Sequence, residues 1–270
     1  MASTATATAT SRDGTLIAFE AQGSGLPALV FVHGWSCDRS YWQAQFGQLS
    51  TRAQCVVVDL AGHGESDTAR RDLTIAAFGE DVAAVVRTLD LESVVLIGHS
   101  MGGDVILEAA LQLRDRVRGL VWVDTYAQLE QFQSFDEVGK RMVPFRTNFV
   151  MITRDFVRKL FPRSADVTLV ERVATDMSSA PPHIALSAME AAMNYGRRVP
   201  AVLRELRLPL AAINPGEPST DVSSLRRYGV DVALISDVGH FPMMEAPREF
   251  NRRLIEILER FKSIHDGDGN

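Results

Sequence analysis

The sequence predicts an α/β fold in which a mostly parallel, twisted sheet carries helices on both faces, and three observations support this. Short apolar runs that suit buried parallel strands occur at 28–32, 55–60, 94–97 and 119–123. The segment at 75–89 has apolar residues at helical spacing and leads into one of these runs. Strands that alternate with helices are typical of a parallel sheet with crossover connections.

The first twenty residues predict an antiparallel hairpin. Residues 3–10 alternate Thr and Ala, Asp13-Gly14 is a turn signal, and residues 15–20 alternate again. The low-complexity Thr-Ala repeat is also compatible with a frayed tail. After the strand at 28–32, apolar spacing predicts a helix over 40–49.

The stretch from Val94 to Gly103 is the segment around which the rest of the chain is interpreted. An apolar strand leads into Gly98-His99-Ser100-Met101-Gly102, and a helical segment follows to about residue 114. A serine on a sharp strand-to-helix turn needs neighbours without a Cβ, so that strand and helix approach closely. The same turn puts the Met101 amide at a helix N-terminus, where unpaired N–H groups favour an oxyanion. Ser100 is therefore the predicted nucleophile.

Three other polar residues are expected to have structural roles. Asp104 and Glu108 share a helix face with Ser100, and we interpret them as helix-start and solvated charges, because the base must come from elsewhere. His63 follows the run at 55–60 and is interpreted as a histidine that orders its loop.

The composition shifts between Tyr126 and Arg207 towards aromatic residues, methionines and helix formers, with Pro181-Pro182 as a break. This predicts a helical cap, residues 126–207, inserted between two strands of a core formed by 1–125 and 208–270. Aromatic and Met side chains adapt to irregular apolar ligands. The candidate pocket-lining residues are Phe132, Phe135, Phe145, Phe149, Phe156, Phe161, Met142, Met151, Met189 and Met193.

Beyond the insertion, strands are predicted at 208–214 and 231–236, and an amphipathic helix at 247–262. The last strand leads into Gly239-His240-Phe241. A serine hydroxyl is a poor nucleophile until a base takes its proton, and His is the side chain suited to this near neutral pH. His240 is the predicted base, since it follows a parallel strand at the same sheet edge as Ser100.

These motifs, in this order along nearly the whole chain, resemble the α/β-hydrolase superfamily. The resemblance rests on His33-Gly34-Trp35 after a strand, the turn at 98–103, the insertion after Asp124 and the terminal Gly239-His240. It implies an α/β-hydrolase fold, a Ser, acid, His order, an acyl-enzyme mechanism and a cap over the site. It also implies that the Trp35 and Met101 amides form the oxyanion hole.

The acid departs from the family pattern. The superfamily usually places an Asp a few residues beyond the strand at 208–214, but this chain has Asn214-Pro215-Gly216-Glu217-Pro218 there. Three candidates remain open. Asp124 is preferred, because it directly follows a strand that lies one strand closer to the nucleophile than the strand at 208–214. Glu217 lies in the expected loop between prolines, and Asp221 follows Ser219 and Thr220 in a position that helix capping explains.

The expected activity is hydrolysis of a small, mostly apolar carboxylic ester or lactone by Ser100, His240 and Asp124. Carbon–carbon bond hydrolysis and cofactor-free haloperoxidase-type perhydrolysis use the same parts and stay open as alternatives, as does a non-catalytic ligand receptor on the same scaffold. Haloalkane dehalogenases and epoxide hydrolases fit poorly, because those families need Asp at position 100.

The composition limits the classes of binding partner that are expected. The formal net charge is −6 and no block of basic residues occurs, which argues against nucleic acid or an anionic membrane. No apolar run is long enough to cross a bilayer, and residues 1–10 lack the features of a signal peptide, so a cytoplasmic protein is expected. Cys37 and Cys55 have neither disulfide nor metal-ligand spacing. A small-molecule substrate is expected, and no metal or organic cofactor is implied.

Overall fold

The strands of the protein form one continuous sheet. The computed structural model describes residues 6–130, 132–216 and 219–267, and the sheet within them has eight strands. Across the sheet the order is β1-β2-β4-β3-β5-β6-β7-β8. In chain order the strands are β1 (Ala7–Thr10), β2 (Leu16–Gln22), β3 (Ala28–Val32), β4 (Cys55–Val58), β5 (Val94–His99), β6 (Val117–Val123), β7 (Leu210–Pro215) and β8 (Val230–Ile235).

Antiparallel pairing is confined to one side of the sheet. β1 pairs with β2 and β2 with β4 in antiparallel register. The pairings from β4 through β3, β5, β6 and β7 to β8 are parallel. The predicted N-terminal hairpin is therefore present from Ala7 onward, and its residues 3–5 lie outside the described residues. The prediction of a mostly parallel sheet is confirmed.

The central strands are buried because their sequences are almost entirely apolar. Every residue of β3, β4 and β5 is buried. A strand covered on both faces has no side that faces water, so a continuous Val, Leu and Ile run suits it better than alternation. These three strands provide the rigid base from which the loops at their carboxyl ends project.

Helices follow most strands. Short 3₁₀ turns occur at Arg39–Trp42, Arg114–Arg116 and Gly196–Arg198. The α-helices are α1 (Gln43–Leu49), α2 (Ile75–Thr88), α3 (Met101–Leu113), α4 (Phe135–Thr147), α5 (Phe149–Arg158), α6 (Val167–Ser178), α7 (Pro182–Tyr195), α8 (Val199–Leu206), α9 (Val222–Arg227), α10 (Pro242–Glu245) and α11 (Pro247–Gly267).

The direction of the crossovers puts helices on both faces of the sheet. α1 connects β3 to β4, whereas α2 connects β4 back across β3 to β5. Right-handed crossovers that step in opposite directions place their helices on opposite faces. α2 packs against α3, and α1 packs against α11, so each face carries a helical layer.

The regular elements described between β6 and β7 are helices, α4 to α8, which we call the insertion helices. Ser134 starts α4 with a capping box, in which its hydroxyl accepts the Glu137 N–H and the Glu137 carboxylate accepts the Ser134 N–H. Pro182 is the first residue of α7, a position that tolerates proline because its amide needs no helical partner. The predicted break at Pro181-Pro182 thus separates α6 from α7.

Two helices differ in their bounds from the predictions. The predicted helix over 40–49 begins as the 3₁₀ turn Arg39–Trp42, because the Asp38 carboxylate accepts the Ser40 N–H at 2.8 Å and tightens the start. The last helix continues past the predicted end at Lys262 to Gly267, since no Gly or Pro interrupts it earlier.

Among the described residues, no helix combines the length and apolar character that crossing a membrane requires.

Candidate active site

Ser100 occupies the turn between β5 and α3. Its backbone φ is 52° and its ψ is −121°, a conformation that costs free energy for a residue with a Cβ. The Ser100 N–H donates to the Val123 carbonyl at 3.0 Å, which ties the turn to the end of β6. The serine predicted as nucleophile therefore lies on a strained turn at the carboxyl edge of the sheet.

The glycines on either side of Ser100 permit this turn. A Cβ at Gly98 would lie 2.2 Å from the Gly102 carbonyl oxygen. A Cβ at Gly102 would lie 2.6 Å from the carbonyl oxygens of Val32 and His33. These neighbours are backbone atoms, which cannot rotate away, so any side chain at either position would force strand and helix apart.

Gly98→Ala is expected to lower the free energy of unfolding by about 2 kcal/mol or more, because overpacking costs about 1–3 kcal/mol even where side chains rearrange. Gly139→Ala, inside α4, is the matched control, since a Cβ there meets nothing within 4 Å. It is expected to leave stability unchanged or raise it by about 0.5–1 kcal/mol. Urea unfolding measures both, and a Gly98→Ala midpoint equal to that of wild type would contradict the close approach.

The two amides expected to form the oxyanion hole belong to Met101 and Trp35. Met101 is the first residue of α3, so its N–H has no partner within the helix. Trp35 follows β3, and both residues line the same cavity as Ser100. The Trp35 indole Nε1 donates to the Ala185 carbonyl in α7 at 2.6 Å, which anchors the Trp35 side chain to the insertion helices.

His33 holds the loop that carries Trp35, a role that no sequence pattern indicates. Leu60 N–H donates to His33 Nε2 at 3.0 Å, so the ring proton is on Nδ1, which donates to the Gly34 carbonyl at 2.8 Å. Burial lowers the pKa of His33. The ring is therefore neutral near pH 7, and it can accept and donate at the same time.

His240 and Asp124 form a hydrogen-bonded pair. His240 lies in the loop after β8, Asp124 directly follows β6, and His240 Nδ1 is 2.6 Å from Asp124 Oδ2. The two side chains are 21% and 19% exposed. Because a carboxylate only accepts, Nδ1 carries the proton and Nε2 is left free to take another. His240 and Ser100 line the same cavity.

The three candidate acids have different positions. Asp124 contacts His240, as described above. Asp221 instead caps α9, where its carboxylate accepts the Ser224 N–H at 3.0 Å, in agreement with its position after Ser219 and Thr220. Glu217 lies outside the described residues. Within the described chain, Asp124 is thus the candidate acid in contact with the imidazole.

A carboxylate that the sequence did not single out supports the His240 loop. Glu245 accepts the Gly239 N–H at 2.9 and 3.0 Å with its two oxygens, and the Phe241 N–H at 3.0 Å. Burial raises the pKa of Glu245, and these two amides oppose that effect. The His240 amide itself donates to the Leu160 carbonyl at 2.9 Å. In the sequence, a Glu five residues after the histidine is the only local signal for these hydrogen bonds.

His99 supports the same loop from the end of β5. Its Nε2 donates to the His240 carbonyl at 2.7 Å, and the two ring centres are 4.7 Å apart. Burial lowers the pKa of His99 well below the usual value, so the ring remains neutral. The residue between Gly98 and Ser100 therefore positions the loop that carries His240.

A cavity of about 400 Å³ lies over Ser100. Its walls come from the serine turn, the loops of Trp35 and His240, and the insertion helices with the segment before them. Four residues predicted as lining do contribute, namely Phe132, Phe156, Met189 and Met193. The contribution of the insertion is mostly apolar, and it also includes Leu160, Met177 and Ala192.

Other residues predicted as pocket lining lie elsewhere. Phe135 and Met151 are exposed on the outer surface. Phe145 and Phe149 are buried and pack edge-on against the Trp35 ring, with centroids 6.1 and 6.2 Å away. Phe161 stacks on Phe241, and Met142 is buried in the core. Residue type alone therefore did not separate the lining residues from the residues that pack behind them or lie on the surface.

The expectation that Asp104 and Glu108 are solvated charges is wrong. They are only 4% and 6% exposed, because the insertion covers their face of α3. Glu108 accepts from Tyr195 Oη at 2.7 Å and from Arg198 Nε at 2.9 Å. Asp104 accepts from Tyr126 Oη at 2.6 Å, and burial raises its pKa to about 8.

The remaining polar candidates have structural positions. His63 is buried and donates from Nδ1 to the Ala61 carbonyl at 3.0 Å, so it orders its loop as predicted. Cys37 and Cys55 are free, buried thiols, and Cys37 lines the cavity. In the part of the chain that the structure describes, no group of three or more His, Cys, Asp or Glu side chains could hold a metal ion.

Comparison with solved structures identifies a close structural relative. An esterase from Thermogutta terrifontis, solved with malate bound, is 26% identical to this chain. The two superpose with a TM-score of 0.80 over 95% of this chain and 99% of that one. The sheet and the insertion of this protein thus have a nearly full-length counterpart among known structures.

Two curated relatives match a shorter part. An uncharacterized protein of Mycobacterium tuberculosis is 36% identical over 106 residues, which is 39% of this chain and 31% of that protein. The 2-(acetamidomethylene)succinate hydrolase of Mesorhizobium japonicum is 32% identical over 109 residues, 40% of this chain and 39% of that enzyme. The chain therefore spans between three and four tenths of these two relatives.

The family assignment follows from the match to a family model. The family model of the alpha/beta hydrolase fold matches residues 27–203, well over half of the chain. This segment begins just before β3, contains the strained serine turn and extends through the insertion helices. The chain belongs to the α/β-hydrolase fold family.

Proposed function

We propose that this protein is a serine hydrolase that cleaves a small, mostly apolar carboxylic ester or lactone through an acyl-enzyme intermediate. The observation that carries the proposal is the 2.6 Å bond between His240 Nδ1 and Asp124 Oδ2 in a molecule whose Ser100 lines the same cavity as His240. The hydrolase relatives and the esterase of like fold support the reaction class.

In this proposal each member of the triad has one task. Ser100 attacks the substrate carbonyl while His240 Nε2 takes the hydroxyl proton. Asp124 holds the Nδ1 tautomer and stabilises the imidazolium that forms. His240 then gives the proton to the departing alcohol oxygen, which leaves Ser100 acylated. A water molecule, deprotonated by the same imidazole, then attacks the acyl carbon, and His240 returns the proton to Ser100 Oγ as the bond to the serine breaks and the acid is released.

The charge that develops on the carbonyl oxygen needs donors. The Met101 amide at the start of α3 and the Trp35 amide are the proposed oxyanion hole. The positive end of the α3 dipole adds to this stabilisation. Two fixed N–H groups in a site covered by apolar side chains stabilise an oxyanion more than mobile water does, because they need no reorganisation.

The pocket supports a small and mostly apolar substrate. A volume of about 400 Å³ is near the lower end of the range for ligand sites. Phe132, Phe156, Met189 and Met193 offer adaptable apolar contacts rather than charge. We include in the proposal that residues 126–207 act as a cap and that 1–125 with 208–270 form the core. The cytoplasmic location stays a prediction.

A direct test is to trap the acyl-enzyme. Rapid mixing with p-nitrophenyl acetate should give a burst of p-nitrophenol, and intact-mass spectrometry after acid quench should find one acetyl group on the chain. Peptide mapping should assign that group to the segment that contains Ser100. Acetylation at another residue would contradict the proposed nucleophile.

Glu245 is proposed as a positioning residue for His240. Glu245→Ala removes the acceptor of the Gly239 and Phe241 amides and is expected to lower kcat by about 10-fold or more with little change in KM, because binding does not need the imidazole. Glu245→Gln, which keeps one acceptor oxygen, should recover part of the loss. Equal losses in both variants, or a change in KM alone, would contradict this role.

A further inference from the structure

Asp104 is a carboxyl group in the pocket that the proposed mechanism does not use. It lies on α3 four residues beyond Ser100, and both residues line the same cavity. Asp104 is 4% exposed and lines the cavity. Arg141 also lines the cavity but makes no ion pair with Asp104 among the described residues. A buried ionisable group without a charged partner costs stability, so a function in ligand recognition would explain it.

The contacts of Asp104 leave one oxygen without a protein partner. Its Oδ1 accepts from Tyr126 Oη at 2.6 Å, and no other hydrogen bond or ion pair reaches the carboxyl from the described residues. Tyr126 is anchored in turn, because its main-chain carbonyl accepts from Asn214 Nδ2 at 2.8 Å. The carboxyl is therefore held at Oδ1, and Oδ2 remains for a ligand.

The neighbouring charges do not neutralise Asp104 by pairing. Arg198 is bound to Glu108, one turn further along α3. Burial raises the pKa of Asp104 to about 8, and the Tyr126 hydrogen bond opposes this without cancelling it. Near pH 7 the group is thus mostly a neutral acid. Since Oδ1 accepts from Tyr126, the acid proton belongs on Oδ2, which makes Asp104 a hydrogen-bond donor.

We propose that Asp104 is a specificity-determining residue that donates a hydrogen bond from Oδ2 to an oxygen acceptor on the substrate. The preferred substrates would then be esters or lactones that carry a second carbonyl group, of a ketone or an amide, within reach of Asp104 while Ser100 attacks the scissile carbonyl, since both residues line one cavity. This inference rests on the proposed serine-hydrolase function. It narrows the substrate class from apolar esters to esters that carry one further acceptor.

A purely alkyl substrate contacts the apolar walls but leaves the Asp104 proton without an acceptor in the pocket. A site with a buried donor discriminates against a ligand that lacks the acceptor, because the donor loses water on binding and gains nothing. The loss expected for a single neutral donor is about 10- to 100-fold in kcat/KM.

The test is a ratio of two specificity constants at pH 7. p-Nitrophenyl 4-oxopentanoate and p-nitrophenyl pentanoate share a leaving group and a chain length, and they differ by one ketone. We expect wild type to prefer the oxo ester by about 10-fold or more. Both substrates are assayed on one preparation, so any unfolded fraction cancels in the ratio.

Three variants separate donation from other effects of the carboxyl. Asp104→Asn keeps both an acceptor for Tyr126 and an N–H donor, and should hold the ratio within about threefold of wild type. Asp104→Leu has no donor and should bring the ratio to about 1. Glu108→Gln removes the neighbouring buried carboxyl, which does not line the cavity, and should leave the ratio unchanged.

A wild-type ratio near 1, or a ratio that Asp104→Leu leaves unaltered, overturns the role of Asp104 while Ser100-dependent turnover upholds the proposed function. If neither ester is hydrolysed, the proposed function fails. The donor is then judged by calorimetry on Ser100→Ala with methyl 4-oxopentanoate and methyl pentanoate. Tighter binding of the oxo ester, lost in Ser100→Ala with Asp104→Leu, upholds it, and equal affinities overturn it.

Discussion

Ser100→Ala is expected to lower kcat/KM for p-nitrophenyl acetate by at least about 10⁴-fold, because no other group on the turn between β5 and α3 can form the acyl-enzyme. A residual rate above that of water is expected, since the proposed oxyanion amides and the pocket remain. The measurement is initial-rate release of p-nitrophenol by wild type and variant at matched concentrations.

Ser179→Ala is the control for this variant. Ser179 is exposed at the end of α6, and among the described residues its hydroxyl bonds to the Asp176 carbonyl alone. It should be as active as wild type, and circular dichroism should find all three proteins equally folded. Activity of Ser100→Ala equal to wild type would refute the nucleophile.

If wild type is inactive on all esters, turnover of a ring-cleavage product or of peracid substrates would favour the two enzymatic alternatives, and tight binding without turnover would favour a receptor.

Asp124→Asn is expected to lower kcat by about 10³- to 10⁴-fold with KM nearly unchanged. The amide can donate to Nδ1, which favours the tautomer with the proton on Nε2, and that nitrogen can then no longer act as the base. Steady-state kinetics on a short p-nitrophenyl ester measure the loss.

The other two candidate acids provide the matched controls. Asp221→Asn should retain wild-type activity and stability, because Asn caps α9 as well as Asp does. Glu217→Gln should also retain activity. A large loss in either of these variants, with Asp124→Asn active, would transfer the role of the acid to that residue.

The features predicted well from sequence are those that depend on neighbouring residues. The apolar run of β5, the glycines at 98 and 102 and the start of α3 are all encoded within ten residues, so the strained turn could be anticipated. The parallel sheet was also predictable, because buried strands have a continuous apolar character and alternate with helices. The family of the chain is confirmed by the match to the family model over residues 27–203.

The features that sequence could not decide depend on distant parts of the chain. Contact between His240 and Asp124 requires that β6, β7 and β8 lie side by side in the sheet. The two residues are 116 positions apart in the sequence. Asp104 and Glu108 were expected to be solvated, because the base for Ser100 had to come from elsewhere in the chain. Their burial results from Tyr126, Tyr195 and Arg198, which no periodicity of α3 reveals.

The bonds from the Trp35 indole to Ala185 and from the His240 amide to Leu160 connect the insertion to both sides of the reaction centre. Moving the insertion outward to admit a substrate would break both bonds, so the imidazole loses a backbone anchor while the pocket is open. Ligand exchange and proton transfer would then belong to different conformations of one molecule. The open form would be a poor catalyst, and a bound acyl group would meet an aligned base only after closure.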